Sequence, residues 1–244
     1  MEYSNWLNLK DEICLTFDVD WAPDETIRPI IDLLESLSLR ATFFATHESK
    51  LLNKLNPELF EVGIHPNFNN AQRDHSHIVR DLKMIYPNAV GQRSHSLHVS
   101  SRILKACAEL GFLYESNIFL PFHEHIHPVK RFRNLYSIPI FWSDDKHIEL
   151  EDRFDSKMFF SQQPGLKVLN FHPMHIFMNT WSEDHYASYK PYYQDPDSLK
   201  GLINRTKDGA GTMFSTLVEE LRVHQNETHT MSQICKTYIS YDNS

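Results

Sequence analysis

Short runs of β-branched and aromatic residues alternate with segments of helical periodicity along most of this 244-residue chain. The predicted strands are Ile13–Asp18, Ala41–Thr46, Glu61–His65, Val90–His95, Leu113–Ser116, Tyr136–Trp142 and Lys167–His172. One predicted apolar helix face consists of Ile30, Ile31, Leu33, Leu34 and Leu37, and another, which ends at Gly111, consists of Ile103, Leu104, Cys107, Ala108 and Leu110. This βαβ order predicts a mostly parallel sheet or barrel.

The stretch from His175 to Met213 fits neither the helical nor the strand period. It is rich in aromatic residues and proline, and we expect a long ordered loop there. Loops of that length are usually functional or disordered.

Length and composition predict one domain over residues 1–244 and leave its oligomeric state open. No run approaches the ~20 apolar residues that span a bilayer, and the start lacks a secretion signal, so we expect no membrane span and a cytoplasmic location. Three separated cysteines predict reduced core residues rather than disulfides. A formal charge of −8 disfavours nucleic acid as a partner.

Two carboxylates, Asp18 and Asp20, lie where the first predicted strand runs out. In an extended chain Thr16, Asp18 and Asp20 share one face. Two like charges so close require a metal ion, an arginine or a shared proton beside them. The alternative, which an isolated Asp-x-Asp would favour, is that one carboxylate caps a helix near Pro23 and the other is solvated.

Polar residues also end three later apolar runs. They are His65, then Arg93 with His95, then Asn170 with His172. Four strands would therefore deliver Asp, His, Arg and His side chains to one rim of the sheet, which in barrels is the catalytic rim. Separately satisfied buried histidines and helix caps explain any one of these residues, but they explain all four poorly.

The order Thr-Phe-Asp-x-Asp at 16–20, Glu-Val-Gly-x-His at 61–65, Arg93, and Leu-x-x-His at 169–172 resembles the polysaccharide deacetylase superfamily. This is the NodB-homology or carbohydrate esterase family 4 group, and the resemblance runs from about Ile13 to His172. The sequence motifs at residues 63–69, 93–97 and 170–175 are similar to those of a branch found among surface-polysaccharide and O-antigen biosynthesis proteins. The resemblance implies an α/β fold, a distorted (β/α)7 barrel with a metal site at its C-terminal rim.

The resemblance also implies roles for these residues. Asp18 matches the base that takes a proton from a water activated at the metal, and Arg93 matches the arginine that orients this base. Asp20 and His65 match metal ligands, although Val19 separates two aspartates that are commonly adjacent in the family. His172 matches the general acid that protonates the leaving amine.

The third metal ligand is open at this point. The family usually has a second histidine four residues after the first, and this chain has Asn69 there. An amide oxygen suits magnesium, calcium or manganese better than zinc. His95 is the favoured substitute and Asn69 the second choice, while His75 or His77 would serve if the chain turns back. An alternative of nearly equal weight is that His95 supports a metal ligand or binds the substrate, and does not itself bind the metal.

The resemblance implies a metal-dependent hydrolase that removes an N-acetyl group from an amino sugar in a glycan or glycan precursor. The expected cofactor is one divalent ion, with zinc first and manganese, cobalt, nickel or magnesium as alternatives. Trp142 and His175 are predicted to line the sugar site, although most tryptophans at strand ends belong to the core. The competing interpretations are a hydrolase of another amide or acyl substrate, and a carbohydrate-binding pseudoenzyme weakened in metal binding by Asn69.

Overall fold

A computed structural model of the chain describes residues 12–69, 74–150, 153–160 and 164–242. Nine strands form one sheet in the order β6-β7-β5-β4-β3-β2-β1-β9-β8. Their bounds are β1 Ile13–Asp18, β2 Ala41–Ala45, β3 Phe60–Ile64, β4 Gly91–Gln92, β5 Tyr114–Glu115, β6 Val129–Phe132, β7 Leu135–Ser137, β8 Trp142–Ser143 and β9 Lys167–Phe171. All neighbouring pairs are parallel except β6 with β7.

The sheet curls into a half-barrel whose edge strands are β6 and β8. It therefore matches the predicted distorted α/β barrel, with nine strands in place of seven. The predicted strand Tyr136–Trp142 is divided between β7 and β8 because Pro139 lies between them and has no N–H to donate to a ladder. The sequence reading missed β6, whose exposed and charged residues carry no apolar alternation.

The described helices are α1 Asp24–Ser36, α2 His75–Ile85, α3 Ser101–Glu109, α4 Asp144–Glu149, α5 Pro173–Met178, α6 Glu183–Tyr189, α7 Pro196–Leu199, α8 Ala210–Val223 and α9 Met231–Asp242. Both predicted helices are confirmed as α1 and α3, but Leu33 does not belong to the buried face of α1, because it is 36% exposed. The Ser100 side chain caps the start of α3, and Gly111 follows its end with a φ of 77°. No helix among the described residues is long and apolar enough to cross a membrane.

The prediction of a loop from His175 to Met213 was wrong, because this stretch contains α5, α6, α7 and the start of α8. Helices α5 to α7 span only four to seven residues each, which is too short to display a helical period. Ser182 and Asp195 cap α6 and α7, and a small second core stabilises all three helices. That core consists of Met174, Met178, Tyr189 and Leu199.

The central strands present an apolar face to the helices and a polar face to the inside of the half-barrel. Phe17 of β1 stacks on Phe43 of β2 with ring centroids 4.7 Å apart, and it also packs against Phe171 of β9 and Phe214 of α8. Thr16 and Asp18 alternate with Phe17 and therefore point to the opposite face. The carboxyl ends of the parallel strands meet at one rim, where Asp18 lies.

Candidate active site

Asp18, the last residue of β1, accepts hydrogen bonds from two buried side chains. Arg93 Nη1 donates to Oδ1 over 3.1 Å, and Asn170 Nδ2 donates to Oδ2 over 2.9 Å. Arg93 Nη1 also donates to Asn170 Oδ1 over 2.5 Å and to Thr16 Oγ1 over 2.9 Å. The charge-assisted contact with Arg93 holds this carboxylate in one orientation.

Arg93 is completely buried, and its position is determined by the strands around it. Its Nε and Nη2 donate to the backbone oxygen and the hydroxyl of Ser116, just beyond β5. Its guanidinium lies 4.4 Å from the ring centroid of Phe44 on β2. Because Asp18 is the only carboxylate in hydrogen-bond contact with it among the described residues, Arg93 acts as a fixed positive partner of Asp18.

Asp20 lies two residues beyond β1 in a turn with a φ of 44°, followed by Trp21 with a φ of 59°. The expectation that Thr16, Asp18 and Asp20 share a face of one extended strand was therefore wrong for Asp20. The turn instead brings Asp20 Oδ1 to 3.1 Å from His65 Nε2 and 3.0 Å from His95 Nδ1. Non-glycine residues in this backbone region are uncommon, and they concentrate at functional sites.

Asp20, His65 and His95 form a cluster whose ligand atoms all lie within 4.8 Å of one another. Burial alone would raise the pKa of Asp20, but the hydrogen bonds with His65 and His95 outweigh burial and hold the pKa well below its usual range. The hydrogen bond with Asp20 raises the pKa of His95 in turn. His65 Nδ1 is buried and makes no hydrogen bond with the described residues, lying 3.7 Å from Asp18 Oδ1.

His172 follows β9 and is held by Asp144, the first residue of α4. Its Nδ1 lies 2.6 Å from Asp144 Oδ1, and its backbone N–H donates to Asp144 Oδ2 over 2.8 Å. Its Nε2 points toward Asp20, 3.7 Å from Oδ2. Burial alone would lower the pKa of His172, but the Asp144 charge and hydrogen bond raise it well above its usual value. The pairing with Asp144 therefore favours the protonated form of His172.

A cavity of about 310 Å³ opens over these residues. Its lining includes Asp18, Asp20, His65, His95, Asn170 and His172, together with Phe119, Ile140, Ser143, Asp145 and Lys146. A second cavity, of about 200 Å³, shares Asp20 and His172 with the first and extends to His175, Tyr186 and Tyr193. The rim thus combines a carboxylate paired with arginine, an Asp-His-His cluster and a protonated histidine around space for a ligand.

The two candidate third ligands have different positions in the structure. His95 lies against Asp20, whereas Asn69 is exposed and donates a long 3.4 Å hydrogen bond to Ser96 Oγ. His75 and His77 begin α2 and do not reach the cluster, since His75 packs against Phe68 and His98. The placement of Asn69 on the metal and the reach of His75 or His77 are therefore not supported by the structure.

The two predicted sugar-site residues have different environments. Trp142 is 2% exposed and packs against Phe159 and Phe171, so the prediction that its ring stacks on a sugar is wrong. Its aromatic ring completes the core behind the site. His175 lines the second cavity, where its Nδ1 lies 3.3 Å from the Tyr189 hydroxyl and burial lowers its pKa.

Sequence reasoning assigned no role to Asp144 or Asn170. Asp144 is fully buried, and together with His172 and His175 it forms a second group of close ligand atoms. Asn170 bridges Asp18 and Arg93. Both residues lie at the ends of apolar runs, in Trp142-Ser-Asp144 and Leu169-Asn170, and a polar residue in that position was the available signal.

Comparisons with known proteins identify the family of this chain. The model of the WbmS-like polysaccharide deacetylase family matches residues 15–190. WbmS of Bordetella bronchiseptica, assigned as a polysaccharide deacetylase involved in O-antigen biosynthesis, is 32% identical over 90% of this chain and 95% of its own, with a TM-score of 0.82. No curated protein sequence matches this chain.

More distant structures share the fold alone. An assigned polysaccharide deacetylase from Mycobacterium smegmatis is 17% identical over 95% of this chain and 96% of its own, with a TM-score of 0.51. A family 4 carbohydrate esterase from Bacillus anthracis is 15% identical over 93% of this chain and 83% of its own, with a TM-score of 0.51. The long family match and the 32% identity to the Bordetella protein establish that this chain belongs to the WbmS-like family of polysaccharide deacetylases.

Proposed function

We propose that this protein is a metal-dependent deacetylase that removes an N-acetyl group from an amino sugar in a glycan or glycan precursor. The observation that carries the proposal is one cavity that joins three groups of complementary chemistry. These are the Asp18 carboxylate paired with Arg93, the Asp20-His65-His95 cluster, and the protonated His172 held by Asp144. The O-antigen assignment of the Bordetella relative supports a surface glycan as the substrate class.

The donor set of the cluster fits a divalent metal ion. One carboxylate and two imidazoles converge with ligand atoms within 4.8 Å, and their cavity leaves room for water or substrate. Asp20, His65 and His95 would hold the ion, with zinc the first choice for this nitrogen-rich set. A bound ion would supply electrophilic activation of a water molecule and of the acyl carbonyl.

The side chains divide the proton transfers between them. Asp18, oriented by its hydrogen bond from Arg93, accepts the proton of the attacking water. His172, kept protonated by Asp144, donates its proton to the sugar nitrogen as the carbon–nitrogen bond breaks. Asn170 orients the base through its hydrogen bond to Asp18 Oδ2. The products are acetate and a free amino sugar.

Acetate release tests this function directly. The purified protein would be stripped of metal, reloaded in turn with zinc, manganese, cobalt, nickel and magnesium, and assayed with N-acetylated oligosaccharides and nucleotide-linked N-acetylamino sugars. Asp18→Asn is the matched control, because it keeps the cluster and should bind metal normally while turnover falls by roughly 10²–10⁴-fold.

Two results would contradict the proposal in different ways. Normal metal binding without acetate release from any substrate would point to another amide or acyl substrate. A protein that binds none of the five metals but still binds sugar would be a carbohydrate-binding pseudoenzyme.

A further inference from the structure

Tyr193 reaches the candidate active site from the helical stretch that follows residue 190, beyond the part of the chain that the family model matches. It lines the second cavity together with Asp20, His172 and His175. Its ring is half-buried and packs against both the main core and the small core of Met174 and its neighbours. The residue therefore faces the same cavity as Asp20 of the candidate metal cluster.

The backbone around Tyr193 is tied to the turn that carries Asp20. Gln194 Nε2 donates to the backbone oxygen of Trp21 over 2.7 Å, and the Trp21 N–H donates to Thr46 Oγ1 over 3.0 Å. The Asp195 N–H donates to the backbone oxygen of Tyr192 over 2.8 Å, which closes a turn around Tyr193. These contacts hold the backbone on both sides of Tyr193 beside the turn of Asp20.

The hydroxyl group of Tyr193 makes no hydrogen bond to any residue within the described ranges, so its donor is open to a ligand. The hydroxyl of Tyr189 differs, since it already pairs with Thr180 Oγ1 over 2.7 Å. The Tyr186 ring is held against His175, with centroids 5.1 Å apart, and under the Lys190 ammonium. Tyr193 is thus a tyrosine in the same cavity as Asp20 whose hydroxyl has no hydrogen-bond partner among the described residues.

We propose that the Tyr193 hydroxyl donates a hydrogen bond to the acyl oxygen of the substrate as that oxygen becomes an oxyanion. This inference rests on the proposed deacetylase function. Water oxygen forms a bond to the acyl carbon, its proton passes to Asp18, and the carbonyl electron pair moves onto the acyl oxygen. The oxyanion pair then re-forms the carbonyl as the carbon–nitrogen bond breaks, and the electron pair of that bond stays on nitrogen, which takes the proton of His172. A positioned donor at the acyl oxygen lowers the barrier because the charge develops there.

Tyr193→Phe tests this role, because it removes the hydroxyl and keeps the ring that packs against both cores. We expect kcat to fall by roughly 10²–10³-fold with KM nearly unchanged, as for the loss of one oxyanion donor. Tyr192→Phe, in the same segment but 46% exposed, is the matched control and should leave both constants unchanged. Metal content and melting temperature of both variants should equal those of the wild type.

A binding measurement gives a second readout that does not depend on turnover. Acetohydroxamate carries an oxygen that resembles the reacting acyl oxygen, and its affinity for the zinc-loaded protein can be measured by calorimetry. We expect Tyr193→Phe to weaken this affinity roughly tenfold, and Tyr192→Phe to leave it unchanged.

The outcomes separate the two proposals. An unchanged kcat in Tyr193→Phe, or an effect confined to KM, would overturn the oxyanion role while leaving the deacetylase function intact. A wild-type protein that binds metal yet releases no acetate would instead count against the deacetylase function. If Tyr193→Phe also left the acetohydroxamate affinity unchanged, Tyr193 would not belong to the site.

Discussion

The backbone torsion at Asp20 determines how its side chain approaches the two histidines of the cluster. Its φ of 44° turns the side chain away from the strand direction and toward His65 and His95. Left-handed torsions of this kind cost of order 1–3 kcal/mol each unless glycine occupies them. Ser96 and Leu97, which line the same cavity, have φ values of 57° and 53°. The rim therefore stores strain at the residues that would bind metal and substrate.

The first prediction concerns the third metal ligand. His95→Ala should weaken zinc affinity by more than roughly 100-fold, because loss of even an outer partner of a ligand costs about 10–100-fold. Asn69→Ala should change the affinity by less than about twofold, as an exposed surface substitution does. Calorimetric titration of the metal-free variants measures both affinities. A larger loss in Asn69→Ala than in His95→Ala would reverse the assignment.

The second prediction concerns the pH dependence of turnover. Asp144 raises the pKa of His172 above its ordinary value of 6.5, so the protonated form persists to higher pH. Activity should therefore fall as the pH rises through this raised pKa. Asp144→Asn removes the charge that raises the pKa of His172 most, while Asp20 and Asp145 remain, so the alkaline limb of the kcat profile should move to lower pH.

The matched control for that profile is Glu149→Gln, which removes a carboxylate from the lining of the same cavity without touching His172. Its alkaline limb should stay near that of the wild type. An alkaline limb that does not move in Asp144→Asn would show that another group is the acid, and His175 is the next residue to test.

At the scale of single elements, the strand β4 illustrates how little regular structure the site needs. It has two paired residues, Gly91 and Gln92, yet it carries Arg93 and His95 to the rim. A Cβ atom on Gly91 would lie 1.9 Å from Cζ of Tyr114 on β5. Tyr114 cannot move aside easily, because it is fully buried and its hydroxyl donates to Glu61 over 2.9 Å. The close approach of β4 and β5 therefore requires glycine.

The third prediction follows from this contact. Gly91→Ala should lower the free energy of unfolding by about 1–3 kcal/mol or more, the usual cost of overpacking a core. Gly201→Ala is the control and should be nearly neutral, since its Cβ would meet only the Ser198 backbone oxygen at 4.0 Å. Urea denaturation of both variants measures the difference. Equal stability of the two variants would mean that β4 and β5 can separate without cost.

At the scale of the whole molecule, the last helix closes the base of the sheet, at the end opposite the rim. Half-buried Glu61, at the start of β3, accepts hydrogen bonds from the Ser232 N–H over 2.8 Å and from Thr42 Oγ1 over 3.1 Å, besides that from Tyr114. The Met231 N–H donates to Thr42 Oγ1 over 3.0 Å. Burial raises the pKa of Glu61 in this setting. These contacts join residues that are far apart in the chain.

The fourth prediction is that Glu61→Ala destabilises the fold without changing the chemistry at the rim. Each buried donor left without a partner should cost about 1–3 kcal/mol. Glu58→Ala, an exposed carboxylate near the same strand, should be neutral. Thermal unfolding measures the loss, and kcat measured well below the transition should match the wild type. A large fall in kcat at full folding would show that the base and the rim are coupled.

Local patterns in the amino-acid sequence were enough to predict the βαβ order, the parallel sheet and the strand-end residues Asp18, His65, Arg93 and His172. These follow from local apolar runs and from the rule that parallel strands share one carboxyl edge. Short capped helices after His172 carry no periodic signal, so their existence depends on packing against the second core.

Which polar residues pair with one another depends on the tertiary structure. The turn at Asp20, the choice of His95 over Asn69, the pairing of Asp144 with His172 and the burial of Trp142 all depend on contacts between residues distant in the chain. A local pattern cannot specify such contacts, because the direction of a side chain beyond a strand end depends on backbone torsions that neighbouring elements impose.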